Sequence, residues 1–256
     1  FHSFGLDMLH AFGDRIGRTR RPTLLDRASA VELLEDELPR LGLRHHRDTK
    51  DPTTLVSDML DAISRAQDEL CDCARYASLA AAMRDAADAL DGEARAAAVE
   101  RAERAAEVAV FYAHYEKLKL AGNFIDFGDL VMLAVDLLEN DAAAQAHYRG
   151  KYTHVLVDEY QDVNRASVRM LKGLKPDGQG LWVVGDARQS IYRFRGASSR
   201  NVALFARDFP GAEHGDLIEN YRSTEEVVQL FTHLGQGMTP VRGEGEPEPQ
   251  PFEPLT

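Results

Sequence analysis

The 256-residue sequence is poor in cysteine and has no long apolar run. Its two cysteines, Cys71 and Cys73, lie one residue apart, which is too close for an ordinary disulfide and unlike the spacing of zinc ligand pairs. No segment approaches the roughly 20 unbroken apolar residues of a membrane-spanning helix. These absences exclude a disulfide-stapled scaffold, and we expect a cytoplasmic protein without a membrane partner.

Positive charge is also scarce, because the sequence has 30 basic and 42 acidic residues and a formal net charge of -12. This balance argues against a protein whose whole surface coats nucleic acid. Two confined basic strips remain. One lies between Asp186 and Asp208 and carries Arg188, Arg193, Arg195, Arg200 and Arg207; the other consists of Arg15, Arg18, Arg20 and Arg21. Such strips allow an acidic protein to bind a nucleic-acid backbone locally.

The first half of the chain carries helical patterns. Apolar residues recur at helical spacing from about residue 3 to 15, and residues 26–120 are rich in Ala, Leu, Glu, Asp and Arg with almost no strand signal. Pro39, Gly42, Pro52 and Gly92 are the expected breaks. We therefore predict an all-α insertion over residues 23–120.

A capped helix is predicted after this insertion. Asp126 precedes a helix that reaches about Glu139. Its apolar face is expected to contain Phe127, Leu130, Val131, Ala134 and Leu138.

After Gly150 the pattern changes to short apolar runs at residues 155–157 and 181–184, which are typical of fully buried parallel strands. Helices over about 163–172 and 199–208 would connect them, so the fold class is α/β. A further strand at about 216–219 precedes a helix to about Leu234, for which Ser223 and Glu226 form a possible capping box.

Two acidic residues follow the first of these strands. In open α/β sheets ligands bind at the carboxyl ends of strands, and Asp158 is placed there to hold Mg²⁺ while Glu159 orients or deprotonates a water. The alternative is a solvated turn that caps the next helix.

Polar and aromatic residues follow the second strand. Gln189 could hydrogen-bond a terminal phosphate, and Tyr192 and Phe194, flanked by arginines, suit base stacking with backbone neutralisation. The alternative is an edge strand whose arginines extend along apolar surface.

Taken together, these motifs resemble superfamily 1 DNA helicases of the UvrD/Rep type. The resemblance rests on the Asp-Glu-Tyr-Gln-Asp run at 158–162, the run from Val183 to Ala197, and Asn-Tyr-Arg-Ser-Thr at 220–224, in this order. Phe-His-Ser-Phe-Gly at 1–5 and Asp-Phe-Gly-Asp-Leu at 126–130 are similar to two further family segments.

The resemblance implies a role for each matching residue. Asp158 would bind Mg²⁺, Glu159 would be the catalytic base for ATP hydrolysis, and Gln189 would read the γ-phosphate. Tyr221 would stack on adenine and Arg222 would act as an arginine finger. Tyr192, Phe194 and Arg195 would line the path of single-stranded DNA. His2 and Ser3 would touch the DNA backbone, although Ser3 as a helix cap explains that segment equally well.

The sequence departs from the family pattern in three respects. Ala187-Arg188 is closer to the RecB/AddA-like branch, which leaves a helicase-nuclease as an alternative. No Gly-x-x-x-x-Gly-Lys-[Ser/Thr] loop occurs in the 256 residues, and the later family motifs are also missing. We expect a piece of a longer protein, inactive by itself; an ATP-independent DNA-binding remnant is the other reading.

The resemblance therefore implies a RecA-like parallel sheet core with a large all-α insertion. Residues 1–22 and 121–215 would form part of the first core domain, residues 23–120 the insertion, and residues 216–256 the start of the second core domain. The intact protein would be an ATP-dependent helicase that moves 3′ to 5′ on single-stranded DNA and unwinds partly duplex DNA in repair or recombination.

Overall fold

The structure, a computed structural model, describes residues 1–19, 21–46, 51–186, 189, 202 and 204–235, and the backbone of 253–254. These residues are mostly helical and include three short pairs of parallel strands. Within the same residues, no helix is long and apolar enough to cross a membrane. The chain forms two compact units, residues 1–147 and residues 148–256, which are described separately below.

The first unit is built from helices. Its elements are α1 (His2–Phe12), a 3-10 turn (Gly13–Ile16), β1 (Thr23–Leu24), α2 (Arg27–Glu35), α3 (Leu38–Leu41), α4 (Pro52–Asp68), α5 (Cys73–Asp88), α6 (Gly92–Ala121), β2 (Phe124–Ile125) and α7 (Phe127–Asn140). Helix α8 (Ala142–Lys151) spans the boundary with the second unit. The predicted breaks are confirmed, because Pro39 lies in the first turn of α3, Gly42 ends that helix, and Pro52 and Gly92 begin α4 and α6.

An apolar core holds helices α2, α4 and α6 together. It includes Leu34 from α2, Met59 and Ile63 from α4, and Phe111 and Tyr115 from α6, all almost completely buried. Cys71 is buried beside this core, Cys73 begins α5, and both are free thiols, as their spacing predicts. Strand β1 pairs in parallel with β2, so the two ends of the helical region lie side by side.

Helix α7 begins as the sequence predicts. The Asp129 amide donates to Asp126 Oδ1 at 2.9 Å and the Asp126 amide donates to Asp129 Oδ2 at 3.0 Å, which forms a capping box. Leu130 is buried, but Phe127 is 53% exposed, so its placement on the buried face is wrong. Helix α1 packs against α7, and its first residue, His2, meets the Phe127 ring edge-on.

Helices α1 and α7 approach each other closely at Gly5. A Cβ at this position would lie 1.9 Å from the Leu130 carbonyl oxygen, so a glycine is required. Helix α1 starts one residue before Ser3, with Phe1 at the N-cap and no side-chain cap hydrogen bond. The reading of Ser3 as a helix cap is therefore wrong.

The second unit contains β3 (Val155–Val157), a 3-10 turn (Tyr160–Asp162), α9 (Arg165–Leu174), β4 (Leu181–Val183), α10 (Phe205–Asp208), β5 (Glu219–Asn220), α11 (Glu225–Gly235) and β6 (Glu253–Pro254). The predicted parallel pairing of β3 with β4 is confirmed, with Leu156 opposite Trp182. The pair β5 and β6 is also parallel. The predicted helix over 199–208 is observed at Phe205–Asp208, and much of its remainder lies outside the described residues.

The prediction that β3 and β4 are fully buried is wrong. Val157 packs on a small core with Val163, Leu171 and Phe209, whereas Leu156 and Trp182 are 79% and 65% exposed. Side chains alternate between the two faces of a strand, and among the described residues of this unit no element covers the face of Leu156 and Trp182.

The region after β4 also differs in detail from the prediction. The strand expected at 216–219 is confined to Glu219–Asn220. Helix α11 begins at Glu225, and the Thr224 carbonyl accepts from the Val228 amide at 3.0 Å. The predicted cap at Ser223 is wrong, because the Ser223 amide instead donates to the side chain of Asn220 at 2.9 Å.

Candidate functional site

The loops that follow β3 and β4 run side by side at the carboxyl edge of this strand pair. The Val184 amide donates to the Val157 carbonyl and the Tyr160 amide donates to the Val184 carbonyl, each at 2.9 Å. The backbone ladder thus continues past both strands. Residues that follow the two strands are held at one edge, where parallel sheets bind ligands.

Asp158 and Glu159 sit on a sharp reversal at this edge. Glu159 has a left-handed backbone (φ 52°), and its amide donates to Asp158 Oδ1 at 2.9 Å. A left-handed residue other than glycine costs about 1 to 3 kcal/mol, which marks a strained position. Both residues are exposed. Helix α9 is capped by Asn164, so the reading of these acids as a helix cap is wrong.

Gln161 joins the two loops, a role that the sequence analysis missed. It is 1% exposed, its Oε1 accepts from the Asp186 amide at 2.9 Å, and its Nε2 donates to the Glu159 carboxylate. A Cβ on Gly185 would lie 2.7 Å from Gln161 Oε1, so the glycine makes room for the bridge. The sequence signal that could have indicated this role is the position of Gln161 between the acidic residues Glu159 and Asp162.

Gln189 extends this network on the side of β4. Its amide donates to the Asp186 carbonyl at 2.9 Å, and its Nε2 donates to Asp186 Oδ2 at 3.0 Å. Hydrogen bonds therefore link the predicted base to the predicted phosphate reader through Gln161 and Asp186. We call Glu159, Gln161, Asp186 and Gln189 the strand-end network.

Tyr160 and Asp162 flank Gln161 in the sequence, and each has a buried polar atom. Tyr160 is 2% exposed and packs edge-on against Phe205, with 5.3 Å between ring centroids. Burial, with the nearby Asp208 carboxylate, raises the pKa of Tyr160. The Tyr160 hydroxyl and Asp162 Oδ1 are buried with no hydrogen-bond partner in the part of the chain that the structure describes.

The exposed carboxylate of Asp158 fits a magnesium ion that is shared with substrate phosphates. Mg²⁺ in such sites takes only one or two protein carboxylates and keeps several waters. Among the described residues, no group of three or more His, Cys, Asp or Glu side chains is arranged to hold a metal. A cage made of protein ligands alone is therefore not seen in that part of the chain.

Tyr221 and Arg222 lie on the turn after β5. Asn220 Oδ1 accepts from the Arg222 amide at 3.0 Å, which fixes the turn and leaves the Tyr221 ring 77% exposed. The Tyr221 hydroxyl donates to the Glu219 carboxylate, and this bond raises the pKa of Tyr221. The ring face and the Arg222 side chain are both exposed, as a stacking residue and an arginine finger require.

The predicted DNA contacts fall in two places. His2 and Ser3 are exposed in the first turn of α1, and the His2 ring meets the Phe127 ring edge-on at 6.0 Å. Exposed Phe127 is thus a second feature that the sequence analysis missed. Tyr192, Phe194 and Arg195 lie outside the described residues.

Known proteins are similar to this chain along most of its length. Residues 1–210 match the UvrD/REP helicase N-terminal domain. The ATP-dependent DNA helicase PcrA of Bacillus subtilis is 33% identical over 236 residues, which cover 91% of this chain and 28% of that protein. The ATP-dependent DNA helicase UvrD2 of Mycobacterium tuberculosis is 35% identical over 238 residues, with coverages of 91% and 31%.

The chain thus spans under a third of the length of these relatives. They are PcrA and UvrD2 helicases, which favours the UvrD/Rep type over the RecB/AddA-like alternative. With both the matched domain and the strand-end motifs in place, the chain belongs to the UvrD/REP helicase family.

Proposed function

We propose that the intact protein is an ATP-dependent DNA helicase that couples ATP hydrolysis to 3′ to 5′ movement on single-stranded DNA and to duplex unwinding in repair or recombination. The observation that carries this proposal is the strand-end network, which links Glu159 to Gln189 across two parallel strand ends. Such a network allows Glu159, the proposed base, to respond to Gln189, the proposed sensor of the γ-phosphate.

In this proposal Asp158 holds Mg²⁺ on the phosphates of ATP, and the ion neutralises charge that develops on them. Glu159 accepts a proton from the attacking water, while the Gln161 amide keeps the carboxylate oriented. Gln189 hydrogen-bonds the γ-phosphate. The loss or gain of that bond is transmitted through Asp186 and Gln161 to Glu159.

Tyr221 and Arg222, on the turn after β5, would complete the nucleotide site. Tyr221 stacks on adenine, and Arg222 stabilises charge on the transferring phosphoryl group. Support comes from the turn itself, since Asn220 binds two successive backbone amides and leaves both side chains exposed.

Single-stranded DNA would pass over the start of α1. His2 and Ser3 contact its backbone, and the exposed ring of Phe127 beside His2 offers a face on which a base stacks. Tyr192, Phe194 and Arg195, which lie in a basic strip, would line the path of single-stranded DNA. The acidic net charge confines DNA to such strips.

The proposed domain division follows the family. Residues 1–22 and 121–215 belong to a RecA-like first core domain, residues 23–120 to a helical insertion, and residues 216–256 to the second core domain. Parallel pairing of β1 with β2 supports the insertion, because it brings the entry and exit of the helical region together. The described elements between them are helices α2 to α6.

The decisive experiment measures ATP hydrolysis, with and without single-stranded DNA, in the full-length protein and in Glu159→Gln. Loss of a general base lowers kcat by roughly 100-fold to 10,000-fold, and nucleotide binding should persist. Glu213→Gln, an exposed acid in the same unit, is the matched control and should retain normal turnover. Glu159→Gln turnover within twofold of the wild type would contradict the proposal.

The 256-residue chain alone should not hydrolyse ATP, because its sequence contains no Gly-x-x-x-x-Gly-Lys-[Ser/Thr] loop to hold the β- and γ-phosphates. A full-length protein that binds DNA equally well with and without ATP, and hydrolyses none, would instead support the ATP-independent alternative.

A further inference from the structure

Lys119, near the end of α6, is completely buried among acidic side chains. Its Nζ lies 2.7 Å from Asp129 Oδ2, 2.8 Å from Asp126 Oδ2 and 2.7 Å from Glu116 Oε1. It also stands over the Tyr115 ring, 4.7 Å from the centroid. A buried ammonium is tolerated only when it is paired in this way, so the position of Lys119 fixes the positions of its partners.

The partners of Lys119 join three helices at one point. Lys119 belongs to α6, and Asp126 and Asp129 form the capping box of α7. Gln67 near the end of α4 donates from Nε2 to Asp126 Oδ1 at 3.0 Å. A Cβ on Gly128 would lie 2.2 Å from Gln67 Oε1, so α4 packs directly on the first turn of α7. We call Gln67, Lys119, Asp126 and Asp129 the charge junction.

The first turn of α7 leads from the charge junction to the surface. Phe127 lies between the two aspartates in sequence, and its exposed ring contacts the His2 ring edge-on. Next to this contact, Gly5 of α1 packs on the Leu130 backbone without space for a Cβ. The start of α1 is therefore supported by a turn whose own placement depends on Lys119.

We infer that Lys119 is a positioning residue for the start of α1: through the charge junction it fixes the first turn of α7, and with it the Phe127 and His2 rings. The step from ring placement to DNA binding rests on the proposed function. The placement itself does not. The helical region thereby controls the geometry of a DNA contact that lies on a different pair of helices.

The test follows the His2 imidazole by NMR in the 256-residue chain. His2→Gln identifies its signal among the nine histidines. In Lys119→Met, and more weakly in Gln67→Met, the His2 signal should move toward that of a histidine without a neighbouring ring, as in Phe127→Ala. Lys117→Met, an exposed lysine on the same helix, should leave the signal unchanged.

Binding of fluorescein-labelled oligothymidylate is measured on the same variants. Lys119→Met should raise the dissociation constant roughly threefold to thirtyfold, with Lys117→Met unchanged. An unaltered His2 signal in Lys119→Met would overturn the inference, and if that variant does not fold, an unaltered signal in Gln67→Met has the same meaning. A moved His2 signal with normal DNA binding in His2→Gln would instead uphold the positioning and refute the DNA role of α1.

Discussion

The charge junction of the first unit and the strand-end network of the second use polar groups in opposite ways. Lys119 and Asp129 are buried and Asp126 is partly buried, and these charged groups are held by mutual pairing. Glu159 and Gln189 are exposed and are connected through the buried side-chain amide of Gln161 and through Asp186. Burial makes the first arrangement important for the stability of the fold, whereas exposure leaves the second free to meet a substrate.

Removal of the buried positive charge of Lys119 should destabilise the chain strongly. Lys119→Met leaves Asp126, Asp129 and Glu116 close together without a cation, and should lower the free energy of unfolding by about 3 to 5 kcal/mol. Urea unfolding of the 256-residue chain measures this loss. Lys117→Met, exposed on the same helix, should change stability by less than about 0.5 kcal/mol. Equal effects of the two substitutions would refute the importance of the junction.

The second prediction concerns the pH dependence of the charge junction. Burial and the neighbouring Asp126 carboxylate raise the pKa of Asp129 to about 6, whereas Lys119 holds the pKa of Asp126 below its usual value despite burial. Since the folded state keeps a proton on Asp129 that the unfolded chain releases near pH 4, this group stabilises the fold at low pH. That contribution is lost as pH rises from about 4 through 6.

Asp129→Asn separates this contribution from those of other acids. The stability of the wild type relative to Asp129→Asn should fall by on the order of 2 kcal/mol between pH 4.5 and pH 7. Glu107 cannot produce the same dependence on pH. Although burial opposes it, hydrogen bonds from the backbone amides of residues 44–46 lower the pKa of Glu107 to about 2. The contribution of Glu107 to stability is therefore lost only as pH falls. A wild-type to variant difference that stays constant with pH would disprove the assignment.

The third prediction tests how tightly the strand-end network is built. Gly185→Ala places a methyl group 2.7 Å from Gln161 Oε1 and should cost about 1 to 3 kcal/mol, because the bridging amide has to move. Gly150→Ala is the control, since that glycine lies within α8 with open space around it and should stabilise the chain by about 0.5 to 1 kcal/mol. Thermal unfolding of both variants measures these changes. A loss of stability in Gly185→Ala alone would show that the Gln161 bridge is tightly packed, whereas an unchanged Gly185→Ala would show that it is loosely packed.

Local patterns in the sequence predicted much of this architecture. The Asp126 cap, the breaks at Pro52 and Gly92, and the parallel strands at 155–157 and 181–183 are confirmed, because each depends on neighbouring residues or on periodicity. Asp158, Glu159 and Gln189 are observed at one strand edge for the same reason. Their chemical roles, and the domain boundaries, stay predictions.

The features that the sequence analysis missed depend on contacts between distant residues. Gln161 bridges to Asp186, Lys119 pairs with two aspartates that Gln67 of another helix also contacts, and the exposed Phe127 ring meets His2 of α1. Apolar runs likewise could not reveal that one face of β3 and β4 is open. An apolar run specifies strand tendency, but the partner that covers each face is a tertiary property.

The smallest expected effect concerns that open face. Leu156 is 79% exposed, so Leu156→Ala should change the stability of this chain by less than about 0.5 kcal/mol, although it removes a large apolar side chain from a strand. Leu171, 2% exposed on the opposite side of the same strand pair, is the matched control, and Leu171→Ala should cost about 2 to 5 kcal/mol.

Trp182, the single tryptophan and 65% exposed opposite Leu156, reports on the same face by fluorescence. Emission of a buried indole, together with a large cost for Leu156→Ala, would mean that this face is covered in solution and that β3 and β4 are buried on both sides, as their apolar runs predict.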